Sequence, residues 1–249
     1  MRKTKIFLTG GTAGIGKATT LHLLRQGFEV FIIGRDEQKL KELLQNCKEL
    51  GVEDRIAYEL QDLTDQTALQ ALLDSVWDSH GPFDVLINNA GVGLGGKFDE
   101  MTLADWKWVA DVNLWGVVHG CHYFVPKFKQ LGHGAIINVA SAASYTAAPE
   151  MTAYNVTKAG VRALSETLSA ELRKFDIKVN VLCPTLVPTN IIKNGKVPHK
   201  GFLDYALTNL AFTTSDKVAK LTLDRLDKDQ LYTIPQIDAK LFWLMKRAA

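Results

Sequence analysis

The stretch Ile6-Phe7-Leu8-Thr9-Gly10-Gly11-Thr12-Ala13-Gly14-Ile15-Gly16 decides how the rest of the 249-residue chain is read. A short apolar run stops at a cluster of glycines, and a helical pattern carrying Leu21 and Leu24 follows to about Gln26. Strand, tight turn and helix start in that order bring free backbone N–H groups and the positive end of a helix dipole to one point, which suits a pyrophosphate. A ligand-free turn has the same local sequence, so the motif alone leaves both readings open. Gly11 through Lys17 also fits the first part of G-x-x-x-x-G-K-[ST], but Ala18 stands where the hydroxyl that holds Mg²⁺ is required. A triphosphate site is therefore not expected.

Outward from this turn, short apolar runs alternate with longer stretches of helical period. Val30-Phe31-Ile32-Ile33, Val85-Leu86-Ile87, Ala135-Ile136-Ile137-Asn138-Val139 and Val179-Asn180-Val181-Leu182 read as strands buried on both faces, since they are β-branched and nearly continuous. Arg55-Ile56-Ala57-Tyr58 and Tyr232-Thr233-Ile234 are weaker strand candidates. Helical patterns lie between: Asp36 to Leu50 with Asp36 as N-cap, Asp65 to Ser79, Thr102 with a capping box toward Pro126, and Thr152 to Lys174. This alternation predicts an α/β fold: a single Rossmann-like, doubly wound parallel sheet of about seven strands with helices on both faces. With no repeat, low-complexity tract or linker, the expectation is one domain over residues 1–249.

Composition narrows the function. Lys plus Arg total 29 against Asp plus Glu 27, a formal charge of +2, and 47% of residues are hydrophobic. Neither disorder nor a basic field for nucleic acid fits those numbers. Cys47, Cys121 and Cys183 form no C-x-x-C pair and suggest a reducing compartment. The apolar run after Met1-Arg2-Lys3-Thr4-Lys5 is too short for a signal peptide, and no run approaches a membrane span. The expected location is the cytoplasm. His119-Gly120-Cys121-His122 lacks a companion acid or thiol from another segment, so no metal site is expected.

Chemistry enters at Ser141, after the fifth strand, and at Tyr154 and Lys158, thirteen and seventeen residues further on. Spacing i,i+4 puts phenol and ammonium on one helical face, where the cation is expected to lower the phenol's pKa toward neutrality. Such a tyrosine can exchange a proton with a carbonyl/alcohol pair. At the end of the second strand, Gly34-Arg35 places a guanidinium where a 2′-phosphate would sit, while Asp36 is the alternative that would take a free ribose hydroxyl.

Thr9-Gly10-x-x-x-Gly14-Ile15-Gly16, Asn88-Asn89-Ala90-Gly91, Asn113, Ser141 and Tyr154-x-x-x-Lys158 together resemble, in order and spacing, the short-chain dehydrogenase/reductases, over residues 4 to 189. The resemblance implies an oxidoreductase interconverting a carbonyl and an alcohol, with NADP(H) favoured over NAD(H). Tyr154 would be the proton donor, Lys158 the ligand of the nicotinamide ribose, Ser141 the group polarising the carbonyl, and Asn113 the holder of a water linking Lys158 to solvent. Ser144 is a competing serine at a less suitable spacing. The implied cofactor residues are Gly10, Thr12, Ala13, Gly14, Ile15, Gly16, Arg35, Asp62, Leu63, Asn89, Ala90, Gly91, Tyr154, Lys158, Pro184, Val187 and Thr189. Thr185 stands where the family usually has glycine.

Residues 188–215, rich in Ile, Leu and Phe, occupy the position of a substrate lid and point to a small lipophilic substrate. Alternatives are a non-catalytic, NADP-binding regulator and a nucleotide-sugar epimerase or dehydratase. The long helices resemble those that pair subunits in this family, so a homodimer or homotetramer is expected. The apolar, basic tail 238–249 has three readings: packing on its own domain, a subunit contact, or peripheral contact with an anionic membrane. Trp106, Trp108 and Trp115 read as core or interface aromatics.

Overall fold

The computed structural model describes residues 3–189, 191, 195–196, 213–224 and 228–248. Most of the expected lid, and residue 249 of the tail, lie outside the described residues.

Seven strands form one all-parallel sheet: β1 (Lys5–Thr9), β2 (Glu29–Gly34), β3 (Ile56–Leu60), β4 (Val85–Asn88), β5 (Gly134–Val139), β6 (Ile177–Leu182) and β7 (Tyr232–Thr233). Their order, β3-β2-β1-β4-β5-β6-β7, matches the expected architecture, both weaker strand candidates included. The chain winds outward from β1 to β3, then returns to lay β4 on β1's other side. That reversal leaves a crevice at the carboxyl ends of β1 and β4, where open parallel sheets bind ligands.

Alternation along each strand sorts the core into two layers. Phe7, Phe31, Ile33, Leu86, Ile136 and Val179 face one side and pack on α3 (Gln66–His80), α5 (Gly116–Leu131) and α7 (Thr152–Leu172). Ile6, Leu8, Ile32, Ile87 and Ile137 face the other and pack on α1 (Gly14–Arg25), α2 (Glu37–Glu49) and α8 (Ser215–Leu223). Burial on both faces is why these strands read as continuous apolar runs. No helix among the described residues is long and apolar enough to cross a membrane.

Three details depart from expectation. The capping box Thr102/Asp105 starts α4 (Leu103–Ala110) as expected, but the helix then loosens into a π-helical turn, Asp111–Trp115, before α5. α5 runs through Pro126 to Leu131 and ends on Gly132, whose φ is +74°. Pro126 forfeits the bond its N–H would give to His122, yet burial of Phe124 and Phe128 on either side carries the helix past it. A short α6 (Ala143–Thr146), absent from the sequence reading, follows Ser141.

The tail forms α9 (Ile237–Ala248). Ala239 is fully buried, and Trp243 packs on Tyr145 and Tyr232 at centroid distances of 5.2 and 4.5 Å. That face answers to the self-packing reading, while Leu241, Leu244 and Met245 are exposed. Trp106 and Trp108 pack half-buried around Val109 and Val112, and Trp115 is exposed.

Candidate active site

The glycine turn is shaped by what crowds it. Gly10, at φ +69°, passes so close to the segment after β4 that an added Cβ would lie 2.8 Å from the Ala90 Cα. At Gly16 a Cβ would sit 2.0 Å from the Gly10 carbonyl oxygen. Asn89 clamps the same turn: its side-chain amide donates to the carbonyls of Thr9 (3.1 Å) and Gly10 (3.0 Å), while Thr9 Oγ1 accepts from the N–H groups of Asn89 and Ala90 (both 3.1 Å). β1 and β4 are thus locked together at their carboxyl ends. α2, α3, α4 and α8 start on side-chain caps, but α1 starts on Ala13, with no side-chain cap and no acid in its first turn. Its orphan N–H groups and dipole face the cleft, an arrangement that fits a pyrophosphate.

At the end of β2, Arg35 extends into the cleft, 3.9 Å from Asp62. Asp36 is already engaged: one carboxylate oxygen accepts the Lys39 N–H at 3.1 Å, and the other meets the Lys39 ammonium at 2.8 Å. Those bonds hold its carboxyl below the usual range. Lys39 itself lines the cleft, a second cation that sequence reading missed because its helical position carries no motif. Asp62 forms a turn in which its Oδ1 accepts from the Thr64 N–H and hydroxyl at 2.9 and 2.8 Å, leaving Leu63 on the cleft wall.

One cleft of about 750 Å³ joins these residues to Ser141, Tyr154, Lys158, Pro184, Val187 and Thr189. Every expected site residue lines it except Asn113. Ser141 sits on the turn after β5, where its Oγ donates to the Pro184 carbonyl (3.3 Å) and accepts the Ala143 N–H (3.2 Å). Ser141 also acts on the neighbouring Tyr154 phenol, opposing part of the rise in its pKa. Ser144 is buried beside the Cys183 thiol and does not line the cleft.

Tyr154 and Lys158, on α7, are 8% and 2% exposed. The expected lowering of the phenol's pKa by the ammonium is not what this geometry produces. Burial raises the Tyr154 pKa, and Ser141 offsets part of the rise. The Lys158 ammonium lies 5.9 Å from the Tyr154 ring centroid and donates to the Val139 carbonyl at 2.9 Å. The same burial pulls its own pKa down to about 8.

Asn113 is fully buried within the π-helical turn. Its Oδ1 accepts the Val92 N–H at 2.8 Å, and its Nδ2 donates to the Val92 carbonyl at 2.9 Å and to Thr157 at 3.4 Å. The side-chain amide thus holds the loop after β4. It remains close to Lys158: a Cβ on Gly91 would be 3.3 Å from Asn113 Oδ1 and 3.4 Å from Lys158 Nζ. Deeper in the core, Asn88 donates to Asn138 (2.9 Å) and Asn138 to Ser165 (3.0 Å), fastening α7 to β4 and β5. His119 is not part of this cleft; its ring lies 6.0 Å from Trp115.

Comparison with known proteins agrees with this architecture. The family model described as short chain dehydrogenase matches residues 4–197. The chain is 35% identical over 191 residues to a probable oxidoreductase, EphD, of Mycobacterium bovis, covering 76% of this chain but 32% of that relative, so it spans about a third of the relative's length. It is 31% identical over 188 residues to an NADP-dependent (R)-specific alcohol dehydrogenase of Lentilactobacillus kefiri, covering 74% of this chain and 73% of that one. Among solved structures, a short chain dehydrogenase/reductase from Burkholderia phymatum in complex with NAD superposes with TM-score 0.88 at 27% identity, over 98% of this chain and 92% of that one. One from Sphingobium yanoikuyae in complex with NADPH gives 0.85 at 26%, again over 98% and 92%. With its parallel sheet, glycine turn and shared cleft, the chain belongs to the short chain dehydrogenase family of oxidoreductases.

Proposed function

We propose that the protein is an NADPH-dependent carbonyl reductase, reversible as an alcohol dehydrogenase, acting on a lipophilic ketone or aldehyde in the cytoplasm as a homodimer or homotetramer. The observation that carries the reading is the gathering of Ser141, Tyr154 and Lys158 in one cleft with the uncapped start of α1. Bound NADPH would supply the hydride. Ser141 would hold the substrate oxygen, and Tyr154 would pass it the phenolic proton. Because burial raises the Tyr154 pKa, the phenol is protonated at neutral pH, the form a reduction requires. Lys158 would bind the nicotinamide ribose, and Asn113 positions the loop beside it through Val92.

Preference for the phosphorylated cofactor is supported by Arg35 and Lys39 on the cleft wall and by the prior engagement of Asp36. Val92, Leu94, Met151, Leu186, Ile191 and Phe242 on the wall of the same cleft support an apolar substrate. The test is Tyr154→Phe, assayed as NADPH oxidation against a panel of hydrophobic ketones. A positioned general acid contributes about 10²–10⁴ in rate, so turnover should fall by at least that range while NADPH still binds. Undiminished turnover in the variant would refute the role of Tyr154, and no turnover by the wild type on any ketone would leave the non-catalytic reading.

A further inference from the structure

The C-terminal helix also reaches the reaction cleft. Asp238 and Phe242, four residues apart and so on one face of α9, both line the cleft that contains Ser141 and Tyr154. Two contacts fix Asp238 against the loop after β6. Gln236, buried, accepts the Thr185 N–H at 3.1 Å through its side-chain oxygen, and Thr185 Oγ1 donates to Asp238 Oδ1 at 3.4 Å. Thr185 is the residue that departs from the family pattern, and a glycine there would offer no hydroxyl. From the opposite side the helix is held by the Tyr145 hydroxyl, which donates to the Ala239 carbonyl at 3.1 Å.

The carboxylate has few partners among the described residues. Among the described residues the Thr185 hydroxyl is its one hydrogen-bond partner, and no cation pairs with it. The other charged side chains on the cleft wall are Arg35, Asp36 and Asp62, on the turns after β2 and β3, Lys39 on α2, and Lys158, whose ammonium is bonded to Val139. Much of the rest of the cleft wall is apolar. A carboxylate so placed gains from a ligand donor, most from a charged one, and repels an anion.

We propose that Asp238, positioned by Thr185, is a substrate-binding subsite for an ammonium or hydroxyl group carried on the substrate away from its carbonyl. The preferred substrate is then an amphipathic carbonyl compound, apolar around the reacting centre with a hydrogen-bond donor at the other end. This rests on the carbonyl-reductase reading.

Three aryl ketones of one skeleton test it: 4-(aminomethyl)acetophenone, 4-methylacetophenone and 4-acetylbenzoate, each assayed with NADPH and with NADH. A hydrogen bond to a charged group corresponds to roughly tenfold or more, so kcat/KM for the amine should exceed that for the methyl ketone by about that factor, with the carboxylate slowest. Asp238→Asn should bring the amine-to-methyl ratio close to one, and Asp238→Lys should invert the order in favour of the carboxylate. Retained NADPH affinity shows that the variants fold. Reduction of all three ketones without regard to the distal group, or a ratio untouched by Asp238→Asn, overturns the subsite and leaves the reductase reading standing. No reduction with either cofactor, alongside calorimetric binding of the amine that weakens in Asp238→Asn, removes the reductase reading and keeps the subsite. Neither reduction nor binding overturns both.

Discussion

If NADPH is preferred as proposed, replacing Arg35 by Ala should remove most of the discrimination against NADH. The guanidinium lies just past Gly34, its side chain is 49% exposed, and its nearest acid, Asp62, is 3.9 Å away, so it is free to turn toward a phosphate. A hydrogen bond to a charged group contributes about 1.5–3 kcal/mol. Half-exposure and ionic screening place Arg35 at the lower end, or about tenfold in affinity. NADH, which lacks the 2′-phosphate, should change by less than about threefold, under 0.7 kcal/mol. Lys39 should behave differently, because its ammonium also neutralises Asp36 at 2.8 Å. Removing it deletes one cation and exposes one anion to the phosphate, so Arg35→Ala/Lys39→Ala should lose more NADPH affinity than the product of the single effects. Fluorescence titration of both cofactors at two ionic strengths measures this, and the NADPH advantage should shrink with salt. Equal losses for the two cofactors in Arg35→Ala, or a wild-type preference for NADH, would refute the reasoning and return the ribose to Asp36.

Other consequences of the geometry can be checked independently. Gly16→Ala should abolish cofactor binding, since its Cβ would meet the Gly10 carbonyl oxygen at 2.0 Å and Asn89 Nδ2 at 2.4 Å; wild-type affinity in calorimetry would show that the turn yields. Asn113→Ala should destabilise the chain by roughly 2–4 kcal/mol in urea unfolding, because the buried Val92 N–H and carbonyl lose their partners, and a loss under half a kcal/mol would contradict that role. Lys158 has a folded-state pKa of about 8, below its ordinary 10.5. The unfolded chain therefore binds more protons between those values, and wild type should gain stability relative to Lys158→Met as pH rises from 8 toward 10. A flat or falling difference would mean that the ammonium is not buried at this cost.

Much of the frame was legible because the relevant signals are local. β-branched runs buried on both faces, the Asp36, Asp65 and Thr102 caps and the glycine turn each depend on residues a few positions apart. The resemblance to a family pattern singled out Ser141, Tyr154 and Lys158. What local rules could not supply was how those groups are bonded. Spacing on α7 brings Tyr154 and Lys158 to one face, but how their charges interact depends on desolvation and on a Val139 carbonyl from β5. Asn113 was expected near the site, yet its committed partner, Val92, lies 21 residues away and is reached through a π-helical turn that no sequence pattern announces.

The sequence by itself determined the strand–helix alternation and the glycine turn that opens α1, because those are set by periodicity and backbone freedom within single segments; Ser141, Tyr154 and Lys158 stood out through their resemblance to a family pattern. Tertiary structure alone decided that burial raises the Tyr154 pKa, that Asp36 is spent on Lys39, and that Asp238 meets Thr185 across 53 residues. Dielectric surroundings and long-range contacts exist only once the sheet has gathered its loops at one end, and it is there that this chain's chemistry is tuned.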